Sequence, residues 1–136
     1  MGTWDEGNFD NDGATILLQT VTAQSSLKPV REAFDAILAL NGYIDVDYGQ
    51  EAIAAAEVVA LLKGNPAKSI PEYLTEWHQT HKLLVDNLLI EKAILAVKKA
   101  TEDPKVSELR GLWEGTNGVV AGWYANVTDL MERLGS

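Results

Sequence analysis

An alanine-rich segment places the strongest constraint on how this 136-residue chain can fold. Residues 50–63 contain five alanines together with larger aliphatic residues, so the segment is apolar nearly all the way round a helix. A helix without a polar face is stable in water only where other elements cover every side of it. We therefore predict that residues 50–63 form a buried central helix, which the Gly64-Asn65-Pro66 sequence ends.

Apolar residues elsewhere in the chain recur at intervals of three and four, which is the spacing of one helix face. This spacing predicts helices over residues 12–23, 30–40, 50–63, 69–81, 86–101, 107–114 and 119–134. The inward stripe of the second helix is predicted to comprise Val30, Phe34, Ile37 and Leu38. That of the last helix is predicted as Val120, Trp123 or Tyr124, Val127, Leu130 or Met131, and Leu134. No strand-like alternation is present.

These patterns predict an all-α fold, a compact single-domain bundle of six to seven helices with an N-terminal anchoring arm, over residues 1–136. Several helix ends are marked by residue types that satisfy free backbone groups. Ser69 and Glu72 have the spacing of a capping box at the start of the fourth helix. Asp47 is expected to cap the central helix, with Glu51 in its first turn. Residues 115–118 are expected to form the turn between the last two helices.

Residues 2–12 differ from an ordinary helix or loop, because they contain two large aromatics, two glycines and four acids. Residues 10–12, Asp-Asn-Asp, are good N-cap types that accept hydrogen bonds from the first turn of a helix. Phe9 is placed to pack against Ala14 or Ile16 one turn into that helix. Trp4 is expected to be buried in a groove between helices. We therefore predict that residues 1–11 form an anchoring arm and helix entrance.

The same segment carries a family resemblance. The pattern Met-Gly-x-Trp-Gly-x-Gly-x-Phe-Asp-Asn-Asp is matched at Gly2, Trp4, Gly7, Phe9, Asp10, Asn11 and Asp12. This opening resembles that of the bacterial "domain of unknown function 4259" family, although Asp5 stands where glycine is usual and Leu18 where an aromatic is expected. Weaker similarities at residues 54–60 and 107–114 extend the resemblance over most of the chain. The resemblance implies a compact helical protein and carries no assigned activity.

Two short patterns contain residue types that bind metals. Residues 8–13, Asn-Phe-Asp-Asn-Asp-Gly, reproduce the first half of a calcium loop, but the twelfth position is Gln19 rather than glutamate. We therefore favour a helix entrance for this segment. His78 and His81 lie three apart on one helical face, where carboxylates from a neighbouring helix would complete a metal site. The adjacent Lys82 favours solvated or capping histidines, so neither a metal nor a cofactor is predicted.

Composition argues against several classes of protein. With 46% hydrophobic and 23% charged residues and no apolar run of about eighteen residues, neither a disordered nor a membrane protein is expected. The absence of cysteine excludes disulfides, thiolate metal sites and cysteine nucleophiles. The acidic N-terminus lacks the pattern of a secretory signal, which favours a cytoplasmic location. The net charge of −9 argues against nucleic-acid binding, which depends on Lys and Arg contacts to phosphate.

Acidic residues are concentrated in the first half of the chain. Residues 1–64 contain ten acids and three bases, a net charge of −7, and residues 1–27 contain no base. A negative field of this kind attracts a basic partner. The carboxylates predicted to contact that partner are Asp5, Glu6, Asp45 and Asp47.

The leading functional hypothesis is therefore a non-catalytic, cytoplasmic protein-binding module. Its most concrete form is an acidic inhibitor of a basic protein, either an immunity-type protein or a regulator. No nucleic-acid or membrane partner is expected. The alternative is a metal-dependent enzyme that uses His78, His81 and neighbouring carboxylates.

Overall fold

The computed structural model describes residues 7–115 and 118–136, which are mainly α-helical. The helices are α1 (Asp12–Gln24), α2 (Lys28–Leu38), α3 (Val46–Leu62), α4 (Glu72–Thr80), α5 (Asn87–Thr101), α6 (Glu108–Leu112) and α7 (Ala121–Gly135). The predicted all-α class and the helical bundle are confirmed. Within the described ranges, no helix has the length and apolar character needed to cross a membrane.

A minimal antiparallel ladder joins α6 to α7. Its strands are β1 (Glu114–Gly115) and β2 (Gly118–Val119), each two residues long. Residues 115 and 118 of the predicted turn pair in this ladder, whereas residues 116 and 117 lie outside the described residues. The sequence did not reveal this pairing because two residues show no alternation.

Helix α3 lies at the centre of the bundle, as the alanine-rich segment predicted. It packs against α1, α2, α5, α6 and α7. Twelve of its seventeen residues are buried. A polar side chain that is buried in this helix therefore has to find its hydrogen-bond partners inside the protein.

The surrounding helices each bury one stripe of residues. In α2 the predicted stripe is confirmed, with Val30, Phe34 and Ile37 buried and Leu38 partly buried. In α7 the buried residues are Trp123, Val127, Leu130 and Leu134. Val120 and Tyr124, two other candidates for that stripe, are exposed.

Side-chain caps fix the starts of three helices. Asn11 caps α1 by accepting a hydrogen bond from the Ala14 N–H at 2.7 Å, so the cap lies within the predicted Asp-Asn-Asp sequence. Asp86 caps α5 through the Leu89 N–H at 2.8 Å. The Ser107 side chain caps α6 in the same way.

Helix α3 begins four residues before the predicted segment. Asp45, rather than Asp47, occupies the N-cap position, and its side chain makes no capping hydrogen bond. Glu108 of α6 satisfies the helix start instead, because its Oε1 accepts from the Val46 N–H at 2.7 Å. The prediction that Asp47 caps this helix is wrong, since the cap comes from a residue distant in sequence.

The predicted capping box at the start of α4 is also wrong. The helix begins at Glu72 with Pro71 at the N-cap position, so Ser69 lies outside the first turn. The cause is steric: Ile70 precedes a proline, and the proline ring disfavours a helical conformation for the residue before it.

The N-terminal segment is described from Gly7 onward. Trp4, the predicted buried anchor, lies outside the described residues together with the rest of residues 1–6. Phe9 is partly buried and packs against the hydrophobic core. Of its two proposed staple partners, Ala14 is buried whereas Ile16 is 58% exposed, so Ile16 does not serve as an apolar anchor.

Candidate functional site

Glu57 lies in the middle of α3 and is 2% exposed, so its carboxylate depends on partners inside the protein. Arg133 of α7 supplies a bidentate ion pair, with Nη1 2.8 Å from Oε1 and Nη2 2.8 Å from Oε2. Arg133 Nε also donates to Asp129 Oδ2 at 2.8 Å. Hydrogen bonding to Glu57 raises the pKa of Arg133, so the guanidinium remains charged at every physiological pH.

Asn8 completes this network from the helix entrance. Its Nδ2 donates to Glu57 Oε2 at 2.8 Å and to the Asn126 carbonyl at 3.2 Å. Those two acceptors fix the orientation of the amide, because a flipped Asn8 would place its Oδ1 against a carboxylate oxygen. The Oδ1 atom is buried and accepts no hydrogen bond from the part of the chain that the structure describes.

Asn8, Glu57 and Arg133 lie on the surface of a cleft of about 570 Å³, here called the polar cleft. The cleft is bounded by residues 7–10, by residues 67–71 with Tyr73, and by one face of α7. Its other charged lining residues are Asp10, Lys68 and Asp129, and its apolar lining includes Phe9, Leu18 and Ile70. The cleft therefore combines a polar floor with apolar walls.

Two of the four carboxylates predicted to bind a partner can be placed. Asp45 and Asp47 are exposed at the start of α3, whereas Asp5 and Glu6 lie outside the described residues. Asp47 is one helical turn before Glu51, which is half-buried. Burial raises the pKa of Glu51, and repulsion from the Asp47 carboxylate raises it further.

Glu51 lines a groove of about 220 Å³ between α1, α2 and the first turns of α3, here called the acidic groove. The other lining residues are Leu17, Thr20, Pro29, Glu32, Ala33, Ala36 and Tyr48. Across residues 7–115 and 118–136, no Lys or Arg forms an ion pair with Glu32, Asp47 or Glu51. Within the described part of the chain, these three carboxylates are therefore without an ion-pair partner.

The two histidines lie at the end of α4. His81 stacks on Trp77 with ring centroids 5.3 Å apart, and its Nδ1 is 3.0 Å from the Trp77 carbonyl and 2.9 Å from Thr80 Oγ1. Burial and the Lys82 charge lower the pKa of His78. Among the described residues, no group of three or more His, Asp or Glu side chains is arranged to hold a metal ion.

Residues 8–13, which resemble the first half of a calcium loop, form the entrance to α1. Asn11 Oδ1 caps α1, and Asp10 Oδ2 accepts from the Gly7 N–H at 3.1 Å. Asn8 directs its Nδ2 donor at Glu57. Of the alternate positions that would supply calcium ligands, Asp10 therefore has a local hydrogen-bonding role, and Asn8 directs a donor rather than an oxygen at its partner.

Sequence reasoning missed the residues of the polar cleft. A signal for Glu57 was available, because it is a lone acid within the apolar run of residues 52–62. Such a residue at the centre of a buried helix requires a cation or several donors nearby. The identity of that cation, Arg133, depends on how α7 packs on α3, which no local pattern specifies.

Comparison with known proteins identifies a family whose sequence profile the chain matches. The sequence profile of the "Domain of unknown function (DUF4259)" matches residues 2–126. No curated protein and no solved structure matches the chain. The matched range includes Asn8, Glu57 and the acidic groove, whereas Asp129 and Arg133 lie beyond it.

Proposed function

Because the chain belongs to the DUF4259 family, whose description assigns no activity, we propose from its geometry that it is a cytoplasmic protein-binding module for a basic partner. The acidic groove and the neighbouring Asp45 and Asp47 form the contact surface. A regulator or an immunity-type inhibitor of a basic protein would work in this way. Asp5 and Glu6, which lie outside the described residues, are proposed as further contacts of the same partner.

The observation that carries this proposal is a small groove with carboxylates around it that form no ion pair within the described ranges. Glu32 and Glu51 line the groove, and Asp47 lies one turn from Glu51. A volume of about 220 Å³ is below the roughly 300–1,000 Å³ of typical small-molecule pockets. It suits one long side chain, such as a lysine or arginine.

The chemistry of the groove also suits such a side chain. Leu17, Pro29 and Ala33 offer apolar surface to an aliphatic stem, while the glutamates are placed to receive its charged end. A bound cation would offset the repulsion between Asp47 and Glu51. Binding is therefore expected to weaken as salt screens the charges, over a Debye length of about 8 Å at physiological ionic strength.

The experiment uses a synthetic peptide of alternating lysine and glycine, with a glutamate–glycine peptide as its charge control. We expect the lysine peptide to shift the amide NMR signals of Tyr48 and Glu51. The triple variant Asp45→Asn, Asp47→Asn, Glu51→Gln should weaken binding. Shifts confined to other surfaces, or equal binding of the two peptides, would contradict the proposal.

A further inference from the structure

We propose that two copies of this chain form a symmetric dimer through α5 and the groove between α5 and α7. The proposal goes beyond the protein-binding function and does not depend on it. It rests on two features of the surface, a row of exposed leucines near the start of α5 and an apolar groove near the end of the same helix.

The leucines are unusually exposed for side chains of their size. Leu84, just before α5, is 92% exposed, and no other large hydrophobic side chain among the described residues is as exposed. Leu88 and Leu95 of α5 are 60% and 54% exposed. They lie seven residues apart and therefore share one face of the helix. An apolar row of this kind marks a site of contact with another molecule.

The groove, here called the α5–α7 groove, lies between the last turn of α5, α6 and α7 and has a volume of about 420 Å³. Its apolar lining residues are Trp123, Tyr124, Val127 and Met131. Lys98 and Glu102 at its edge carry opposite charges. Arg110, the other cation, is held by Glu114 and by the Thr101 carbonyl. The lining therefore selects no single charge and suits an apolar side chain.

An antiparallel pair of α5 helices brings the leucines of one copy to the groove of the other. With the two-fold axis near Leu95, the start of each α5 lies beside the end of its partner. Leu88 of each copy then faces the α5–α7 groove of the other copy. Every contact is made twice, as in an isologous interface, so the assembly closes as a dimer.

The charges beside the leucines are complementary in the same arrangement. Glu91 and Lys98 are exposed, lie seven residues apart on one side of α5, and form no ion pair within the described ranges. In the antiparallel pair, Glu91 of each copy faces Lys98 of the other.

The distribution of charge also favours a second copy at this surface. The net charge of −9 makes two copies repel each other. Residues 82–105, however, contain five lysines and four acids, a net charge of +1. Two copies that meet through α5 therefore approach where their repulsion is weakest, whereas a strongly charged partner gains little there.

Sedimentation equilibrium from about 10 µM to about 1 mM protein tests for the dimer, because an interface of one helix and one groove, below about 1,200 Å², is expected to be weak. The mass should rise from 14.8 kDa toward twice that value. Salt should strengthen the association, since it screens repulsion between the acidic copies. Salt weakens binding of the lysine–glycine peptide to the acidic groove, so the two interactions respond in opposite directions.

A matched pair of variants locates the interface. Leu88→Gln should weaken dimerisation by at least about tenfold, because two leucines per dimer lose their contact. Ile16→Gln makes a comparable change in α1, at a side chain that is 58% exposed, and should dimerise like the wild type. Leu88→Gln should still bind the lysine–glycine peptide normally, so failure of the dimer is distinguishable from failure of the protein-binding function.

Single cysteines test the antiparallel arrangement, since the sequence contains no other thiol. Leu95→Cys places two thiols near the two-fold axis and should form a disulfide-linked dimer under mild oxidation. In Leu88→Cys the two positions are fourteen residues apart along the helix axis, about 21 Å, which exceeds the roughly 4.4–6.8 Å between Cα atoms that a disulfide spans. Ala23→Cys, at an exposed position of α1, measures oxidation by random collision.

Three outcomes would overturn the proposal. A mass of 14.8 kDa at every protein and salt concentration would show that the leucines do not contact a second copy and would leave them to a different partner. Association that persists in Leu88→Gln would place the contact on another surface. Disulfide formation that is as fast in Leu88→Cys as in Leu95→Cys would exclude the antiparallel pair.

Discussion

At the scale of the residue, Glu57 is the one acidic or basic residue that is buried among the described residues, and it lies within the apolar run of residues 52–62. Its partners come from distant segments, Asn8 near the N-terminus and Arg133 near the C-terminus. A buried ion pair often adds little net stability, since desolvation offsets the attraction, but removing one partner leaves an uncompensated charge.

Arg133→Met is therefore expected to reduce the free energy of unfolding by about 3–5 kcal/mol. The double variant Glu57→Leu, Arg133→Met removes both charges and should recover most of that loss. Urea unfolding of the three proteins measures both effects. Equal stability of Arg133→Met and wild type would show that solvent reaches the Glu57 carboxylate.

Glu51 gives a prediction about pH. Its pKa in the folded protein is raised above 4.5 by burial and by Asp47, so its ionised form opposes folding. This destabilisation is absent when the pH is below the pKa of Glu51 in the unfolded chain. It develops as the pH rises through the pKa of Glu51 in the folded protein. Glu51→Gln should therefore increase the melting temperature at pH 7 and have little effect at about pH 3.

The control for Glu51→Gln is Glu91→Gln, a substitution at an exposed position of α5. It removes the same charge from another surface and controls for the general effect of lowering the net negative charge. A pH-independent gain for Glu51→Gln, or an identical profile for Glu91→Gln, would contradict the local explanation.

At the scale of the element, the start of α3 is stabilised from outside the helix. Glu108 Oε1 accepts from the Val46 N–H, whereas Asp45 at the N-cap makes no side-chain bond. Glu108→Ala is expected to cost about 0.5–2 kcal/mol, the usual effect of losing a cap. Asp45→Ala should cost much less. Hydrogen exchange at residues 46–48 measures the fraying, and equal protection in both variants would disprove this role of Glu108.

Whether the start of a helix could be predicted from the sequence depended on where the residues that cap it lie in the chain. Helices α1 and α5 carry their own caps, Asn11 and Asp86, and their starts were predicted to within one residue. The start of α3 was missed because its cap comes from Glu108 and not from a neighbour in sequence. The start of α4 was missed because Pro71 disfavours a helical conformation at Ile70, although Ser69 and Glu72 have the spacing of a capping box.

The same reasoning applies to the candidate sites. The exposed positions of Asp45 and Asp47 could be anticipated, because nothing in their local sequence requires burial. The polar cleft could not, because it combines residues about 50 to 120 positions apart, as in the hydrogen bonds from Asn8 to Glu57 and Asn126. The packing of α7 on α3 and the position of the segment before α1 together bring these residues close to one another.

At the scale of the whole molecule, net charge and local charge have separable effects on a basic partner. The net charge of −9 acts at long range and accelerates encounter with a cation. The acidic groove acts after contact, through the carboxylates that hold the bound side chain. Two triple variants with the same net charge separate the two contributions.

The groove variant is Asp45→Asn, Asp47→Asn, Glu51→Gln, and the control variant is Glu91→Gln, Glu102→Gln, Glu132→Gln. Each removes three negative charges and changes the net charge from −9 to −6. The control positions are exposed and do not line the acidic groove. Both variants should therefore bind the lysine–glycine peptide more slowly at low salt, because both weaken the long-range field.

At high salt, long-range attraction is screened and the variants should differ. The control variant should then release the peptide at the wild-type rate, because its groove is intact. The groove variant should still release it faster, since most effects of contact residues appear in the dissociation rate. Stopped-flow measurements across ionic strength test this. Identical dissociation rates for the two variants at every salt concentration would show that the peptide responds to net charge alone and would exclude the acidic groove as the binding surface.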